Sequence, residues 1–343
     1  KEIAIWEGNK LTKEEARKIS GIETVMWNDN FKNVLDLILA QSKSIYLEKN
    51  EHIRSSTKIE TPQERFINEI KRSYPTYEIQ RSYPILSELR MIKNKTEIDL
   101  IQKACNITEK GFRRVLSYIE PNIWEYDIEA EFIHEFIKNR SKGFAYQPII
   151  ASGINACSLH YNTNNSLCKS GDLILMDVAA EYSNYKSDMT RTVPVNGKFT
   201  KRQLEIYNAV LNVKNKATNI LRPSISVNEY HKEVGKIMES ELIRIKLIDK
   251  HDVKKQDPKN PMYKKYFMHG TSHHLGLDVH DVGNFYVNLS PGNVFTVEPG
   301  IYIREENLGV RLEDNILIGE NQNHNLMKNI PILPEEIEDI MNS

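Results

Sequence analysis

Two stretches of this chain repeat the same order of predicted elements, and this repetition constrains the fold more than any other feature. Helical spacing of apolar residues predicts helices from about Thr96 and over residues 126–139, then again over residues 200–221 and 227–245. A β-rich segment follows each pair of helices. We therefore predict a duplicated helix–helix–hairpin unit whose two halves face each other.

The β-rich segments supply one hairpin to each half. In the first half, residues 173–180 and 186–193 are strand-like runs joined by a short polar turn, which is typical of a hairpin. In the second half, the strand-like runs are Val294–Val297 and residues 309–318. The polar stretch 251–265, which contains two prolines, is interpreted as an insertion in the second half.

The chain also divides into two predicted domains, residues 1–90 and 91–343. The first contains an amphipathic run, Phe31–Leu39, and a strand-like run, Ser44–Leu47, and is predicted to be a small α/β domain. We find no combination of catalytic residues in it. At the start of the second region, Thr96 is predicted to cap the first long helix, with Asp99 three residues later.

Charge and composition exclude several classes of protein. Lys and Arg total 46 and Asp and Glu total 47, so bulk charge provides no attraction to nucleic acid or to an anionic membrane. No apolar stretch approaches the roughly 18–20 residues of a membrane span, and the N-terminal residues do not resemble a signal peptide. The three cysteines predict neither a disulfide framework nor a zinc ribbon. We expect a cytoplasmic protein with no nucleic-acid or membrane partner.

Two aspartates mark the first hairpin as a candidate site. Asp177 follows an apolar run that is typical of a buried strand, where a lone carboxylate is unfavourable unless it is paired or bound to a metal. Antiparallel pairing about the turn brings Asp188 opposite or nearly opposite. A divalent cation, Arg or Lys would relieve the repulsion between the two carboxylates. Because Lys186 and Arg191 flank Asp188, an ion-paired hairpin is the alternative to a metal site.

Two glutamates occupy similar positions in the second hairpin. Glu298 directly follows the strand-like run Val294–Val297, and Glu313 lies two residues beyond Arg311. Strand alternation puts Arg311 and Glu313 on one face. An Arg311–Glu313 pair on the surface of a sheet is therefore the alternative here.

A histidine cluster between the hairpins strengthens the metal hypothesis. Four of the ten histidines are His269, His273, His274 and His280, among glycines and apolar residues, which is typical of a metal or acid–base site. The residues alone do not decide among His269, His273 and His274. Four carboxylates and an imidazole would form an oxygen-rich site for two divalent ions that activate a bridging hydroxide. Such ligands favour Mn²⁺ over a thiolate-type zinc site.

These motifs, in this order, resemble the metallopeptidase family of methionine aminopeptidase, aminopeptidase P and prolidase. The resemblance begins at LRMIKNKTEI (residues 89–98) and continues through the hairpin aspartates, HGTSHHLGLDVH (269–280), VEPG (297–300) and RLED (311–314). The histidine segment is most similar to that of the aminopeptidase P group. The implied fold class is α+β, a pita-bread catalytic domain of two pseudo-symmetric halves preceded by a small α/β domain.

The resemblance implies a role for each candidate residue. Asp177 would bind one ion, His273 and Glu298 the other, and Asp188 and Glu313 would bridge both.

The remaining implied roles concern the substrate and the support of the ligands. His280 would stabilise the oxyanion, and His160 would contact the substrate from the opposite side. Glu298 would transfer a proton as well as bind metal. His269 and Arg311 would support the ligands, Arg311 by orienting carboxylates.

The function implied by the resemblance is hydrolysis of the bond between an N-terminal residue and a following proline. The expected cofactors are two divalent ions, with Mn²⁺ favoured and Co²⁺ or Zn²⁺ as alternatives. The expected assembly is a homodimer. A prolidase-type dipeptidase is the alternative enzyme, and a metal-free peptide-binding module is a second alternative that the complete ligand set disfavours. The region before Leu89 is short for the family's N-terminal domain, so we expect that domain to be incomplete in this sequence.

Overall fold

A computed structural model gives the fold of this chain and describes residues 2–51, 59–284 and 286–343. The chain forms two compact units, Lys1–Ile85 and Leu86–Ser343. The predicted domains 1–90 and 91–343 stay a prediction. Within the described residues, no helix is both long enough and apolar enough to cross a membrane.

The first unit combines helices with a two-stranded parallel sheet. Its elements are α1 (Glu2–Glu7), α2 (Lys13–Ser20), α3 (Phe31–Leu39), β1 (Ser44–Leu47), α4 (Pro62–Ser73) and β2 (Glu78–Arg81), followed by α5 (Tyr83–Met91) across the boundary. β1 and β2 pair in parallel, with Ser44 opposite Glu78, and α4 lies in the connection between them. The predicted helix Phe31–Leu39 and strand Ser44–Leu47 are confirmed.

The second unit contains two pairs of long helices. They are α6 (Lys95–Leu116) with α7 (Glu125–Lys138), and α8 (Lys201–Ile220) with α9 (Val227–Arg244); α10 (Lys250–Val253) and α11 (Pro334–Met341) are short. The two members of each pair contact each other. α8 begins at a capping box in which the Thr200 hydroxyl and the Gln203 side chain each accept a hydrogen bond from the other's amide. The four predicted helices are confirmed.

The N-cap of α6 differs from the prediction. Asn94, and not Thr96, caps the helix: its Oδ1 accepts a hydrogen bond from the Glu97 amide at 3.1 Å, and Glu97 Oε2 accepts one from the Asn94 amide at 2.9 Å. Asn and Thr are both good N-caps. Asn94 is used because the glutamate three residues later completes a capping box.

The strands of the second unit form two hairpin-based sheets. The first half contains β3 (Ile149–Ser152), β4 (Leu173–Asp177), β5 (Glu181–Tyr182), β6 (Tyr185–Lys186) and β7 (Thr190–Pro194). The second half contains β8 (Val294–Val297), β9 (Gly300–Ile303), β10 (Leu308–Arg311), β11 (Asp314–Leu317) and β12 (His324–Asn325). β4 pairs antiparallel with β3 and β7, and β11 pairs antiparallel with β8 and β12.

The second hairpin is more elaborate than predicted. The run 309–318 is not one strand but two, because the chain leaves β10 at Arg311 and starts β11 at Asp314. β9, which was not predicted, pairs with β10, while β11 pairs with β8. This change of partner puts Glu313 at the break between two strands and not within one.

Helices and strands enclose a common hydrophobic core in the second unit. Ile101 and Phe112 from α6, Ile174 and Met176 from β4, and Phe295 from β8 are fully buried in one cluster. The core supports the carboxylate-bearing strand ends, since an apolar strand such as β4 is packed along its length before it reaches Asp177. The predicted α+β class with two helix–helix–hairpin halves is confirmed.

Candidate active site

The ends of the two hairpins bring Asp188, His273 and Glu313 together. One ligand-type atom from each side chain lies within 4.8 Å of the others, and all three residues are buried. Asp188 lies just ahead of β7, Glu313 joins β10 to β11, and the backbone of His273 hydrogen-bonds to Thr296 of β8. Two acidic groups in so small a buried volume repel each other unless a cation compensates them.

Glu298 directly follows β8, and Glu313 directly precedes β11. The antiparallel strands pair Val297 with Asp314, and the Leu312 amide donates to the Pro299 carbonyl, so Glu298 lies opposite Glu313. His273 Nε2 is 3.5 Å from Glu298 Oε1 and 3.3 Å from Asp188 Oδ2. The imidazole therefore lies between a carboxylate of the first half and a carboxylate of the second.

Asp177, the last residue of β4, is held by two donors. The Tyr146 hydroxyl donates to Oδ1 at 2.6 Å, and Arg311 Nη2 donates to Oδ2 at 2.6 Å. Thr190, which pairs with Asp177 across the hairpin, donates its hydroxyl hydrogen to Glu313 Oε2 at 2.7 Å. The other oxygen of Glu313, Oε1, is buried and accepts no hydrogen bond from any described residue. An acceptor inside the cluster is thus left for a ligand.

Burial shifts the pKa values of Asp177, Glu298 and Glu313 toward their protonated forms, and the charges of neighbouring carboxylates add to the shift. Burial raises the pKa of Asp177 even though Arg311 opposes it, and burial with the charge of Asp188 raises the pKa of Glu313 well above its ordinary value. Burial also raises the pKa of Glu298. One guanidinium does not balance four carboxylates. The donor set therefore fits divalent cations, which carboxylate oxygens bind well, while the assignment of five ligands stays a prediction.

His273 has its ring oriented as a metal ligand. Its Nδ1 is 2.9 Å from the carbonyl oxygen of His274, which can only accept, so Nδ1 carries a proton. Nε2 therefore faces Asp188 and Glu298. Burial lowers the pKa of His273, but the hydrogen bond to Asp188 and the charge of Glu298 raise it overall. When Nε2 is deprotonated, the carbonyl keeps the ring in the tautomer that binds metals.

His269, Tyr302 and Arg311 form a hydrogen-bonded chain beside the carboxylates. His269 Nδ1 donates to the Gly270 carbonyl at 2.8 Å, so its Nε2 accepts from the Tyr302 hydroxyl at 2.8 Å. The Tyr302 oxygen in turn accepts from Arg311 Nη1 at 2.9 Å. Burial, followed by the charge of Arg311, lowers the pKa of His269 to about 3. His269 is therefore neutral near pH 7, and its Nδ1 lies 3.6 Å from Glu298 Oε2.

His280 and His160 are on the exposed side of the cluster. The ring of His280 meets the ring of His273 edge to face, with centroids 4.3 Å apart. His160 is exposed beyond the short 3₁₀ helix Gly153–Cys157, and no hydrogen bond or ion pair joins its side chain to a described residue. Its charge contributes to lowering the pKa of His269, so the two imidazoles interact through space. The roles predicted for His280 and His160 stay predictions.

The ion-pair alternatives are wrong for both hairpins. Lys186 pairs with Glu181 at 3.5 Å, and Arg191 reaches the other half to pair with Asp314 at 2.7 Å. Neither cation pairs with Asp188.

Arg311 likewise does not pair with Glu313. The break after β10 directs its guanidinium toward Asp177, to which it donates at 2.6 Å, and its Nε donates to Thr190 at 3.1 Å.

Three residues that contact the cluster were missed by sequence reasoning. Thr190 could have been found from the sequence, because it follows Asp188 by two positions and strand alternation puts both side chains on the same face. Tyr302 lies on β9, which was not predicted. Tyr146 lies in an irregular segment ahead of β3 and carries no local signal; only the tertiary structure brings its hydroxyl to Asp177.

Comparisons with known proteins agree with this geometry. Residues 99–320 match metallopeptidase family M24, and residues 1–46 match the aminopeptidase P N-terminal domain. The Xaa-Pro aminopeptidase of Haemophilus influenzae is 36% identical over 99% of this chain and 79% of its own length. That of Escherichia coli is 34% identical over 98% of this chain and 79% of its own length.

Solved structures give the same result. Zn-substituted E. coli aminopeptidase P in complex with product superposes with a TM-score of 0.87 at 33% identity, covering 99% of this chain and 80% of that one. Proline aminopeptidase P II from Yersinia pestis has a TM-score of 0.85 at 31% identity, covering 99% and 81%. The fold predicted from the resemblance is thereby confirmed. The chain belongs to metallopeptidase family M24, with a match to the aminopeptidase P N-terminal domain ahead of its catalytic part.

Proposed function

We propose that this chain removes the N-terminal residue from peptides whose second residue is proline, in a reaction that depends on divalent metal ions. The chain is a metallo-aminopeptidase, and its relatives are Xaa-Pro aminopeptidases. The observation that carries the proposal is the buried cluster of Asp188, His273 and Glu313, whose ligand-type atoms lie within 4.8 Å of one another.

The proposed ligands are those predicted from the sequence. Asp188 and Glu313 would bridge two ions, Asp177 would complete one, and His273 with Glu298 would complete the other. When bound, the ions supply Lewis-acid activation of water and of the scissile carbonyl. The unpartnered oxygen of Glu313 supports its assignment. So does the orientation of His273 by a backbone carbonyl.

Glu298 is the proposed proton carrier. Its Oε1 accepts a 3.3 Å hydrogen bond from the Thr296 hydroxyl, and its Oε2 faces His269. Burial raises the pKa of Glu298, which moves this carboxylate toward the range suited to proton transfer near neutral pH. Glu298 would take a proton from the attacking water and deliver it to the prolyl nitrogen as the peptide bond breaks. That nitrogen belongs to a tertiary amide and has no proton of its own.

His280 and His160 are the proposed contacts to the peptide. His280 would donate a hydrogen bond to the oxygen on which negative charge develops, which stabilises the transition state more than the ground state. Its position against the ring of His273 supports a location beside the reacting carbonyl. His160 would contact the substrate from the opposite side. His269 and Arg311 are proposed to support the site through their shared contact with Tyr302.

Manganese is the proposed metal, because the donors are mostly carboxylate oxygens. The test measures metal content together with hydrolysis of an Xaa-Pro-Yaa peptide before and after chelation, followed by addition of Mn²⁺, Co²⁺ or Zn²⁺. We expect activity to disappear with the metal and to return best with Mn²⁺. Full activity after complete removal of metal would contradict the proposed function.

A comparison of substrate lengths separates the proposed activity from its alternative. A prolidase acts on the dipeptide Xaa-Pro, whereas the proposed enzyme prefers Xaa-Pro-Yaa and longer peptides. The names of the relatives favour the second activity. Faster hydrolysis of Xaa-Pro than of Xaa-Pro-Yaa would reverse this choice.

The remaining proposals concern assembly and compartment. We propose a homodimer, which sedimentation would test, and a cytoplasmic location, which the three free cysteines support. The two-domain division at residue 90 is also a proposal, and limited proteolysis would test it.

A further inference from the structure

Two of the three cations in the segment 89–98, Arg90 and Lys93, pack against the segment that carries His280 but have no part in the proposed chemistry. Arg90 is at the end of α5, and Lys93 is in the turn before α6. The Lys93 side chain is only 1% exposed. Burying a charged ammonium is costly unless a partner compensates it, so its contacts require an explanation.

Asp281 is the shared partner of both cations. Arg90 Nη2 forms an ion pair with Asp281 Oδ1 and lies 2.7 Å from Asp278 Oδ2. Lys93 Nζ is 3.8 Å from Asp281 Oδ2, and the Asp281 side chain is 1% exposed. These contacts hold the short segment 278–281 at Asp278 and at Asp281, which lie on either side of His280.

The backbone around this segment is fixed by further contacts. The Asp281 amide donates to the His274 carbonyl at 2.9 Å, and the Gly276 amide donates to the Asp278 carbonyl at 3.1 Å. A Cβ atom at position 276 would overlap the Asp281 carboxylate. The Lys93 amide also donates to the Gly292 carbonyl at 2.9 Å. The segment carrying His280 therefore follows one closely packed path.

We propose that Arg90 and Lys93, acting through Asp281, are positioning residues that hold His280 beside the candidate metal ligand His273. His280 lies immediately before Asp281, and its ring contacts that of His273 at a centroid distance of 4.3 Å. The inference rests on the proposed function, because orientation of His280 matters only where its ring meets the scissile carbonyl. A small displacement of a catalytic group has a large effect on rate.

Stability alone does not account for this network. A buried ion pair is often no more stabilising than apolar residues of the same size. The two carboxylates and two cations instead connect the turn before α6 to a segment that has no regular secondary structure of its own. That is the arrangement expected of residues that orient a catalytic side chain, here His280, without contacting the substrate themselves.

A double-mutant cycle tests whether the network acts through His280. The variants are Lys93→Met, His280→Ala and the combination, assayed on an Xaa-Pro-Yaa peptide with the metal content measured in each. We expect Lys93→Met to lower kcat about 10- to 100-fold with KM and metal content unchanged. In the His280→Ala background, the same substitution should change kcat by less than about twofold.

Equal losses in both backgrounds would overturn the inference, as would an unchanged kcat for Lys93→Met. A wild-type protein that fails to hydrolyse the peptide would contradict the proposed function instead, so the two failures are distinguishable. Lys95→Met, which removes an exposed lysine of the same segment whose ion pair is with Asp99, is the matched control and should retain wild-type kcat.

A second variant covers the case in which Lys93→Met does not fold. Asp278→Asn removes only the more exposed partner of Arg90, whose side chain is 65% exposed, and leaves the buried Asp281 pair in place. We expect a smaller loss of kcat, about twofold to tenfold, again absent when His280 is alanine. An equal loss of kcat when Asp278→Asn is made in the His280→Ala background would overturn the inference, as it would for Lys93→Met.

Discussion

The two halves of the larger unit each send an arginine into the other half, and the two arginines meet very different carboxylates. Arg191 from β7 pairs with Asp314 of β11 at 2.7 Å, with both side chains buried. Arg311 from β10 pairs with Asp177 of β4 at 2.6 Å. The pairs are structurally alike, since each joins neighbouring ends of the two hairpins.

Their electrostatic surroundings differ. Asp314 also has an ion pair with Lys214, and these two cations overcome the cost of burial and lower the pKa of Asp314. Among the described residues, Arg311 is the one cation paired with Asp177; burial, together with the charge of Asp188, outweighs it and raises the pKa of Asp177. The first pair is balanced by the protein itself. The second leaves an excess of negative charge, which protonation of the carboxylates or a bound cation would compensate.

The largest expected effect is that of Asp177→Asn on activity. Loss of a proposed ligand should abolish metal-dependent turnover and reduce bound metal, because an amide oxygen cannot supply the missing charge. Kinetics and metal analysis would measure both. Asp99→Asn, which changes an exposed aspartate on α6, is the control and should behave as wild type. Near-normal turnover by Asp177→Asn would contradict the ligand assignment.

The comparison predicts the opposite outcome for Asp314→Asn, whose main effect should be on stability. Removing this carboxylate leaves Arg191 and Lys214 buried without their partner, which we expect to lower the free energy of unfolding by about 3–5 kcal/mol. Urea denaturation of the metal-free protein would measure it. Asp177→Asn in the same assay should lose less, since it removes a charge from an acid-rich cluster. Equal losses of unfolding free energy in Asp314→Asn and Asp177→Asn would contradict the proposed difference between the Arg191–Asp314 and Arg311–Asp177 pairs.

Lys93 is another buried cation, and it lies farther from its partner Asp281 than the two arginines lie from their carboxylates. Burial lowers the pKa of Lys93 from 10.5 to about 8, although Asp281 opposes the shift. Between these two values the unfolded chain binds more protons than the folded one, so this group adds stability as the pH rises. The free energy of unfolding of wild type, relative to Lys93→Met, should rise by about 3 kcal/mol across this range. Denaturation at several alkaline pH values would test this, and a flat difference would contradict it.

Arg311→Lys should have a smaller effect, confined to catalysis. A lysine keeps the charge but cannot contact Asp177, Thr190 and Tyr302 together as the guanidinium does. We expect kcat to fall about 10- to 100-fold with the protein still folded. Arg113→Lys, at an exposed ion pair with Glu109, is the control. An unchanged kcat would show that the charge of Arg311 suffices and its geometry does not matter.

Local sequence determined the helices and the positions of the candidate ligands. Capping boxes such as Thr200 with Gln203 act over three residues, so the start of α8 is readable without any tertiary information. The error at α6 was also local, because two good capping residues lie two positions apart and the better box decides between them. Asp177 and Glu298 could be recognised because each comes at the end of an apolar run, where a carboxylate is unfavourable unless it is paired or bound to a metal.

The tertiary structure alone decided which groups meet. Arg311 is 134 positions from Asp177 in the chain, and the break after β10 directs its guanidinium there and away from Glu313. Tyr146 and Tyr302 reach the cluster in the same way. The physical reason is one of range: a helix cap is completed within one turn, whereas ion pairs and metal sites depend on which side chains the packing of distant strands brings within a few ångströms.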